Sequence, residues 1–257
     1  MKHKKNKMRA LIFAGKKYKA EIRYLRDLSQ VIYDKKWFSS QDQNQEIYYM
    51  FRNLYRGEDD KKLMEKLGIR YDITIIPPKL LGNEYVKTLG HYHPELINGL
   101  TYPEIYQVLE GEAHYFIQKP LVKNFSIIDK AILIKAKAPD VVIIPPNYGH
   151  ITINPSSKIL KMANFVSCKF SSIYEPIIKL GGACYFELVN GKFVRNENYE
   201  QVPELEIFEA KELAEEFSNK VQELEELFLE KDIYALLSKN PKVLSFLNEP
   251  RRLKDVL

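Results

Sequence analysis

Between residues 71 and 194 the chain is written in short apolar runs, rich in Val, Ile, Tyr and Phe, broken by Gly, Pro and Asn. YDITIIPP (71–78), YQVLEGEAHYFIQ (106–118), KAILIKAKA (130–138), DVVIIPP (140–146), KMANFVSC (161–168) and ACYFELVNGKFV (183–194) all read as strands. Hairpin turns are expected at Glu110-Gly111 and at Asn190-Gly191, the latter an Asn-Gly pair suited to the left-handed dihedrals of a tight turn. Many short strands with frequent turns predict a mainly β protein, a barrel or sandwich. The segment 57–69 reads as a helix or long loop inserted between strands. Near residue 200 the period lengthens. Leu213, Phe217, Val221, Leu224, Leu227 and Phe228 recur at three- and four-residue steps in a Glu- and Lys-rich stretch, which predicts one amphipathic helix. Asp232 suits the cap of a second, short helix, and 241–257 suits one or two more, interrupted by Pro250. The pattern thus divides at 198: residues 1–198 form a strand-rich unit with an N-terminal strand arm, and 199–257 a helical extension.

Composition adds constraints. The 257 residues are 45% hydrophobic, enough for a sizeable core. Cys168 and Cys184 make no disulfide framework; they read as small buried apolar residues in a reducing cytoplasm. The apolar run near the N-terminus is too short for a secretory segment, and no stretch approaches the ~18 apolar residues of a membrane span. The expected location is cytoplasmic. A net charge of +5 is mild; the basic cluster at 2–7 reads as a solvated tail rather than a nucleic-acid surface. The positive balance suits an anionic small metabolite.

Chemistry concentrates in TLGHYHPELINGLTYPEIYQVLEG (88–111) and PPNYGHITIN (145–154). Alternate residues of a strand face one side, so His91 and His93 can present both imidazoles to one point. With Glu104 and His150 they form a set of three nitrogens and one oxygen suited to a divalent transition metal. Fe, Mn, Ni, Co and Zn all fit that donor set. The other two of the five histidines, His3 and His114, read as solvated or structural.

Six residues lie between Glu104 and Gly111, and three between His150 and Asn154. These spacings resemble the two signature motifs of cupins, double-stranded β-helix (jelly-roll) barrels that hold a metal between HxH…E and a later His. Glu95 is a competing carboxylate, but only Glu104 has the motif's spacing to Gly111. Two features depart from the general cupin pattern: ten residues separate His93 from Glu104, and Asp140 stands at a usual glycine position. TLGHYH, YPEIYQVLEG and PPNYGHITIN together look like the cupin-type glucose-6-phosphate isomerases of archaea and some bacteria, over roughly residues 18–195. The long loop before PEIY and the segment SIYEPIIKLGGACYF look most like bacterial-style members.

That resemblance implies a metal-dependent enzyme interconverting glucose 6-phosphate and fructose 6-phosphate, working as a homodimer paired through its N-terminal strands. It implies metal ligation by His91, His93, Glu104 and His150. Phosphate contacts would come from Thr74, Thr88 and Gly90, and sugar contacts from Tyr48, Tyr102, Tyr106 and Tyr174. Glu104, His150 and Tyr174 are the catalytic candidates. Val166 and Ser172 stand where the family has a tyrosine and a histidine. The chemistry agrees independently. Aldose–ketose isomerisation needs a group to move hydrogen between C2 and C1, and a Lewis acid for the developing oxyanion. Glu104 is either a ligand only or a ligand that doubles as the base, and a hydride shift is the rival route. Two further readings stay open. One is a related cupin enzyme acting on another phosphosugar, such as mannose 6-phosphate, or an oxygenase. The other is a non-catalytic sugar-phosphate-binding cupin.

Overall fold

A computed structural model describes residues 8–121, 124–253 and 257. The basic cluster 2–7, His3 and residues 254–256 lie outside the described residues. Twelve strands make the two main sheets. They are β1 (Glu21–Tyr24), β2 (Glu46–Phe51), β3 (Ile69–Ile76), β4 (Leu80–Leu81), β5 (Glu84–Lys87) and β6 (Glu104–Glu110). There follow β7 (Glu112–Leu121), β8 (Asn124–Lys137), β9 (Val141–Ile144), β10 (Gly149–Asn154), β11 (Leu160–Ser167) and β12 (Leu205–Glu209). One six-stranded sheet has the order β9-β6-β11-β3-β2-β1, and the other β12-β8-β7-β10-β5-β4. From β5 to β11 the chain passes repeatedly from one sheet to the other, joining antiparallel neighbours in each. This is the double-stranded β-helix that the resemblance implies, and the protein is mainly β, as the strand pattern predicts. Gly111 makes the β6–β7 turn at φ +82°, where an added Cβ would sit 2.4 Å from the Ile159 carbonyl oxygen.

The β3 sheet is buried on both faces, which is why β2 and β11 read as nearly continuous apolar runs. Its inner face lines a cleft between the sheets. Its outer face is covered by the C-terminal segment: Tyr234 packs edge-on against Tyr71, with ring centroids 4.8 Å apart. Gln107, on the same outer face, donates to the Glu230 carbonyl (3.3 Å) and accepts from Ile233 N–H (3.0 Å). Those bonds satisfy a buried amide that would otherwise be costly. Residues beyond 198 therefore share the barrel's main core, where Leu213, Phe217, Leu224 and Leu227 are all buried.

The structure changes several details of the sequence reading. Segment 57–69 is a helix, α1 (Glu58–Leu67), ended by Gly68 in the left-handed conformation. The first regular element beyond 198 is not helical: β12 adds in parallel to the edge of β8. The single helix expected over 213–228 stops at Lys220, the end of α2 (Ala210–Lys220), and resumes as short turns at 222–229. The break lets Leu224 and Leu227 fold back onto the core, and Phe228 comes 6.1 Å from Phe217. Cys184 is buried as expected, whereas Cys168, just past the end of β11, is exposed. Among the described residues no helix is long and apolar enough to cross a membrane.

Candidate active site

His91 N–H donates to the His150 carbonyl (3.2 Å) and His150 N–H to the His91 carbonyl (3.0 Å), so the His91–His93 segment runs as a short partner of β10. Strand alternation then turns both imidazoles to the side on which His150 stands. Glu104 opens β6 on the facing sheet. One donor atom from each of the four residues lies within 4.8 Å of all the others. Glu104 Oε2 is 3.3 Å from His150 Nε2 and 3.4 Å from His93 Nε2. It is buried and yet makes no hydrogen bond. His93 Nδ1 lies 2.8 Å from the Tyr102 carbonyl, which can only accept, so Nδ1 carries the proton and the Nε2 lone pair faces the cluster. An orphaned carboxylate oxygen among convergent imidazole nitrogens fits a divalent transition metal.

The protonation states also fit. Burial pushes the His91 imidazolium down, helped by repulsion from His150 and His93. His150 is likewise lowered by burial, against the opposing pull of Glu104. Burial alone would raise the Glu104 carboxyl, but His150 and His93 outweigh it and hold it well below the usual range. Neutral imidazoles and an ionised carboxylate are the forms that bind a dication. Asn164 Nδ2 donates to Glu104 Oε1 (2.7 Å) and fixes the carboxylate's orientation.

Cross-strand register builds the rest of the cleft. Glu104, Val166 and Arg70 form one row across β6, β11 and β3. Tyr106, Asn164 and Asp72 form the next, and Val108, Met162, Thr74 and Met50 the third. Tyr48, Thr74, Thr88, Gly90, His91, His93, Glu104, Tyr106, His150 and Tyr174 line this one cleft. Thr88 Oγ1 accepts from Thr152 N–H (3.0 Å), leaving its own hydroxyl hydrogen free. Tyr106 Oη is 3.1 Å from His150 Nε2, and Tyr48 Oη accepts from Leu89 N–H (3.3 Å). Gly90 has φ +82°, and a Cβ there would sit 2.4 Å from Ile151 Cγ1.

Tyr102 is placed differently from the sequence expectation. It is not among the cleft-lining residues; its ring stacks on Phe170 at 4.6 Å, and it serves His93 through its carbonyl. The ten residues between His93 and Glu104 fold out as a small hairpin, Glu95–Ile97 with Leu100–Thr101. Glu95 is exposed on that hairpin and accepts from Gly99 N–H (2.8 Å), so it does not compete with Glu104. His114 pairs with Glu187 at 2.8 Å, away from the cluster. Arg52, Arg70, Thr152 and Asn164 also line the cleft and were not singled out from sequence. The available signal was IRYDITII, where Arg70, Asp72 and Thr74 occupy every second position of a strand.

A double-stranded β-helix with a His3Glu cluster between its sheets defines a cupin-type protein with a candidate metal site. More narrowly, the chain belongs to the glucose-6-phosphate isomerase family: the family described as "Glucose-6-phosphate isomerase (GPI)" matches residues 22–204. A glucose-6-phosphate isomerase of Thermococcus litoralis is 24% identical over 70% of this chain and 86% of its own length. One from Pyrococcus furiosus is 25% identical over 53% of this chain and 64% of its own length. Solved structures resemble the chain more remotely. A predicted oxalate decarboxylase of Thermotoga maritima has a TM-score of 0.30 and 22% identity, covering 48% of this chain and 80% of its own. An oxalate oxidase has a TM-score of 0.34 and 14% identity, covering 75% of this chain and 71% of its own.

Proposed function

We propose that the protein is a metal-dependent isomerase of glucose 6-phosphate and fructose 6-phosphate. The observation that carries this reading is the His3Glu cluster at one end of a cleft lined by tyrosines, threonines and arginines, in a chain of the isomerase family. Hydroxyl donors and guanidinium groups suit a sugar phosphate better than the apolar substrate of an oxygenase.

His91, His93, Glu104 and His150 would hold the metal, which when bound polarises the sugar's carbonyl and stabilises the negative charge that develops on its oxygens. The chain supplies the remaining chemistry. Glu104 takes the C2 proton of the aldose, and the C–H electron pair forms the C1–C2 double bond of an enediol while O1 gains a proton. Return of the proton to C1 and loss of the O2 proton give the ketose. Asn164 fixes one carboxylate oxygen through this sequence. The hydroxyls of Tyr106 and Tyr174 bind sugar oxygens, and Thr74, Thr88 and the Gly90 backbone take the phosphate end.

The test is turnover of fructose 6-phosphate in a coupled dehydrogenase assay, before and after EDTA. Activity lost with EDTA and restored by a divalent metal supports the reading; a folded, metal-loaded protein without turnover overturns it. Product formed in D2O carries deuterium if Glu104 moves the proton, whereas a direct hydride shift leaves it unlabelled. Faster turnover of mannose 6-phosphate would reassign the substrate. The proposed enzyme is cytoplasmic, in keeping with its two free cysteines. It pairs as a homodimer through the edge that ends at β1 and the antiparallel hairpin of Ala10–Phe13 with Lys16–Lys19 before it, where Ile12 is exposed. Light scattering at twice the monomer mass checks that last point.

A further inference from the structure

The cleft face of β3 carries a charged arrangement that the metal cluster does not explain. Asp72 is 2% exposed and saturated: it accepts from Arg52 Nη1 (3.0 Å), Arg70 Nε (2.9 Å) and Asn53 N–H (2.8 Å). One buried carboxylate therefore fixes two guanidiniums against the cleft wall. Their donors are spent differently. Arg52 also bonds Glu21 (3.1 Å) and the Met50 sulfur (3.2 Å), a set that ties β1 to β2. Arg70 spends only Nε, and its two terminal nitrogens have no hydrogen-bond acceptor among the described residues. Its side chain is 22% exposed and lines the cleft. Across the strand pair it faces Val166, which offers no acceptor.

Two strand spacings separate Arg70 from Glu104 along the row through Val166, roughly 10 Å. The Nε bond to Asp72 lays the arginine along β3 toward Thr74, the next cleft-facing position. Arg23 adds a third guanidinium at the same cleft's edge, with its Nε buried and unpartnered and its Nη2 3.5 Å from Tyr174 Oη. Arg52 and Arg70 line the cleft, and Arg23 reaches its wall at Tyr174, so guanidinium charge faces the same cleft as the metal cluster.

We infer that Arg70, oriented by Asp72, is a binding residue for the substrate's phosphate group, supplying the charge and paired donors that Thr74, Thr88 and Gly90 lack. A planar guanidinium with both terminal nitrogens free matches two phosphate oxygens, which a lysine cannot do. This inference rests on the phosphosugar reading above, and its test separates the two. Metal-replete wild type, Arg70→Gln and Arg70→Lys are compared for fructose 6-phosphate kinetics and for competitive inhibition by inorganic phosphate. Arg70→Gln should raise KM at least about tenfold, the size of one lost charge-assisted hydrogen bond, with kcat little changed. The inhibition constant for phosphate should rise in parallel. Arg70→Lys, which keeps the charge but not the fork, should fall between. Unchanged KM and unchanged phosphate inhibition in a folded variant overturn the inference. If Arg70→Gln does not fold, Arg70→Lys decides: wild-type KM there overturns it. If the wild type shows no isomerase activity, the functional reading fails but the site is still testable. Calorimetric titration with inorganic phosphate should then show binding to wild type and weakened binding to Arg70→Lys; equal binding sinks the inference.

Discussion

The two ends of the cleft are built by different means. At the histidine end, four donor atoms come from three separate stretches of chain, yet each belongs to a short motif with its own spacing. At the arginine end, Arg70, Asp72, Thr74 and Asn164 belong to no motif. Arg70, Asp72 and Thr74 alternate along β3, and Asn164 meets them because β3 and β11 pair in one register, placing Asn164 opposite Asp72 and Met162 opposite Thr74. A shift of that register by one residue would turn all of them to the outer face, under Tyr234. The candidate metal cluster follows from local spacing, and the proposed substrate side of the cleft from strand alternation and pairing.

The largest expected effect tests the motif end. His150→Ala removes one of four donors and should lower turnover more than about 100-fold, beyond what loss of an outer partner costs. Metal content, measured by mass spectrometry, should fall with it; retention of both would dissolve the motif end altogether. Next comes the bond that joins the two ends. Asn164→Ala frees Glu104 Oε1 and should weaken metal affinity about 10- to 100-fold, read by competition with a chelator. Unchanged affinity would mean that the register end does nothing for the metal cluster.

A smaller effect is steric. Gly90→Ala drives a Cβ into Ile151 at 2.4 Å and holds an L-residue at φ +82°, so stability should fall by about 1–3 kcal/mol in denaturant titration. The smallest lies outside both ends. Tyr234 Oη donates to Asp60 (2.8 Å) and accepts from Arg56 N–H (2.7 Å). Tyr234→Phe should cost about 0.5–1.5 kcal/mol of stability and leave KM unchanged. A raised KM would show that the C-terminal cover shapes the cleft.

These contrasts also mark what could be read in advance. His91, His93 and His150 were legible because alternation and motif spacing survive in one dimension. Glu104 was preferred over Glu95 by its distance to Gly111, and the structure turns Glu95 outward onto Gly99. Tyr102 stacks on Phe170 and meets the cluster through its backbone carbonyl, a contact that a side-chain pattern does not reveal. Helix α2 was read too long because Leu224 and Leu227 keep a helical period even where the chain bends to bury them. β12 was missed because parallel pairing to an edge leaves no turn signal nearby.

The sequence by itself determined the strand-rich class, the hairpin at Gly111 and the donor set of the cluster, since period, turn chemistry and ligand spacing are local properties. Tertiary structure alone decided that Asn164 holds Glu104, that Asp72 holds two arginines, and that Tyr234 closes the outer face. The Asn164–Glu104 and Tyr234–Asp60 contacts join residues 60 and 174 positions apart, and Asp72 meets Arg52 20 positions before it; only Arg70, two residues away on the same strand, is local. Only the register of the folded sheets brings such groups together.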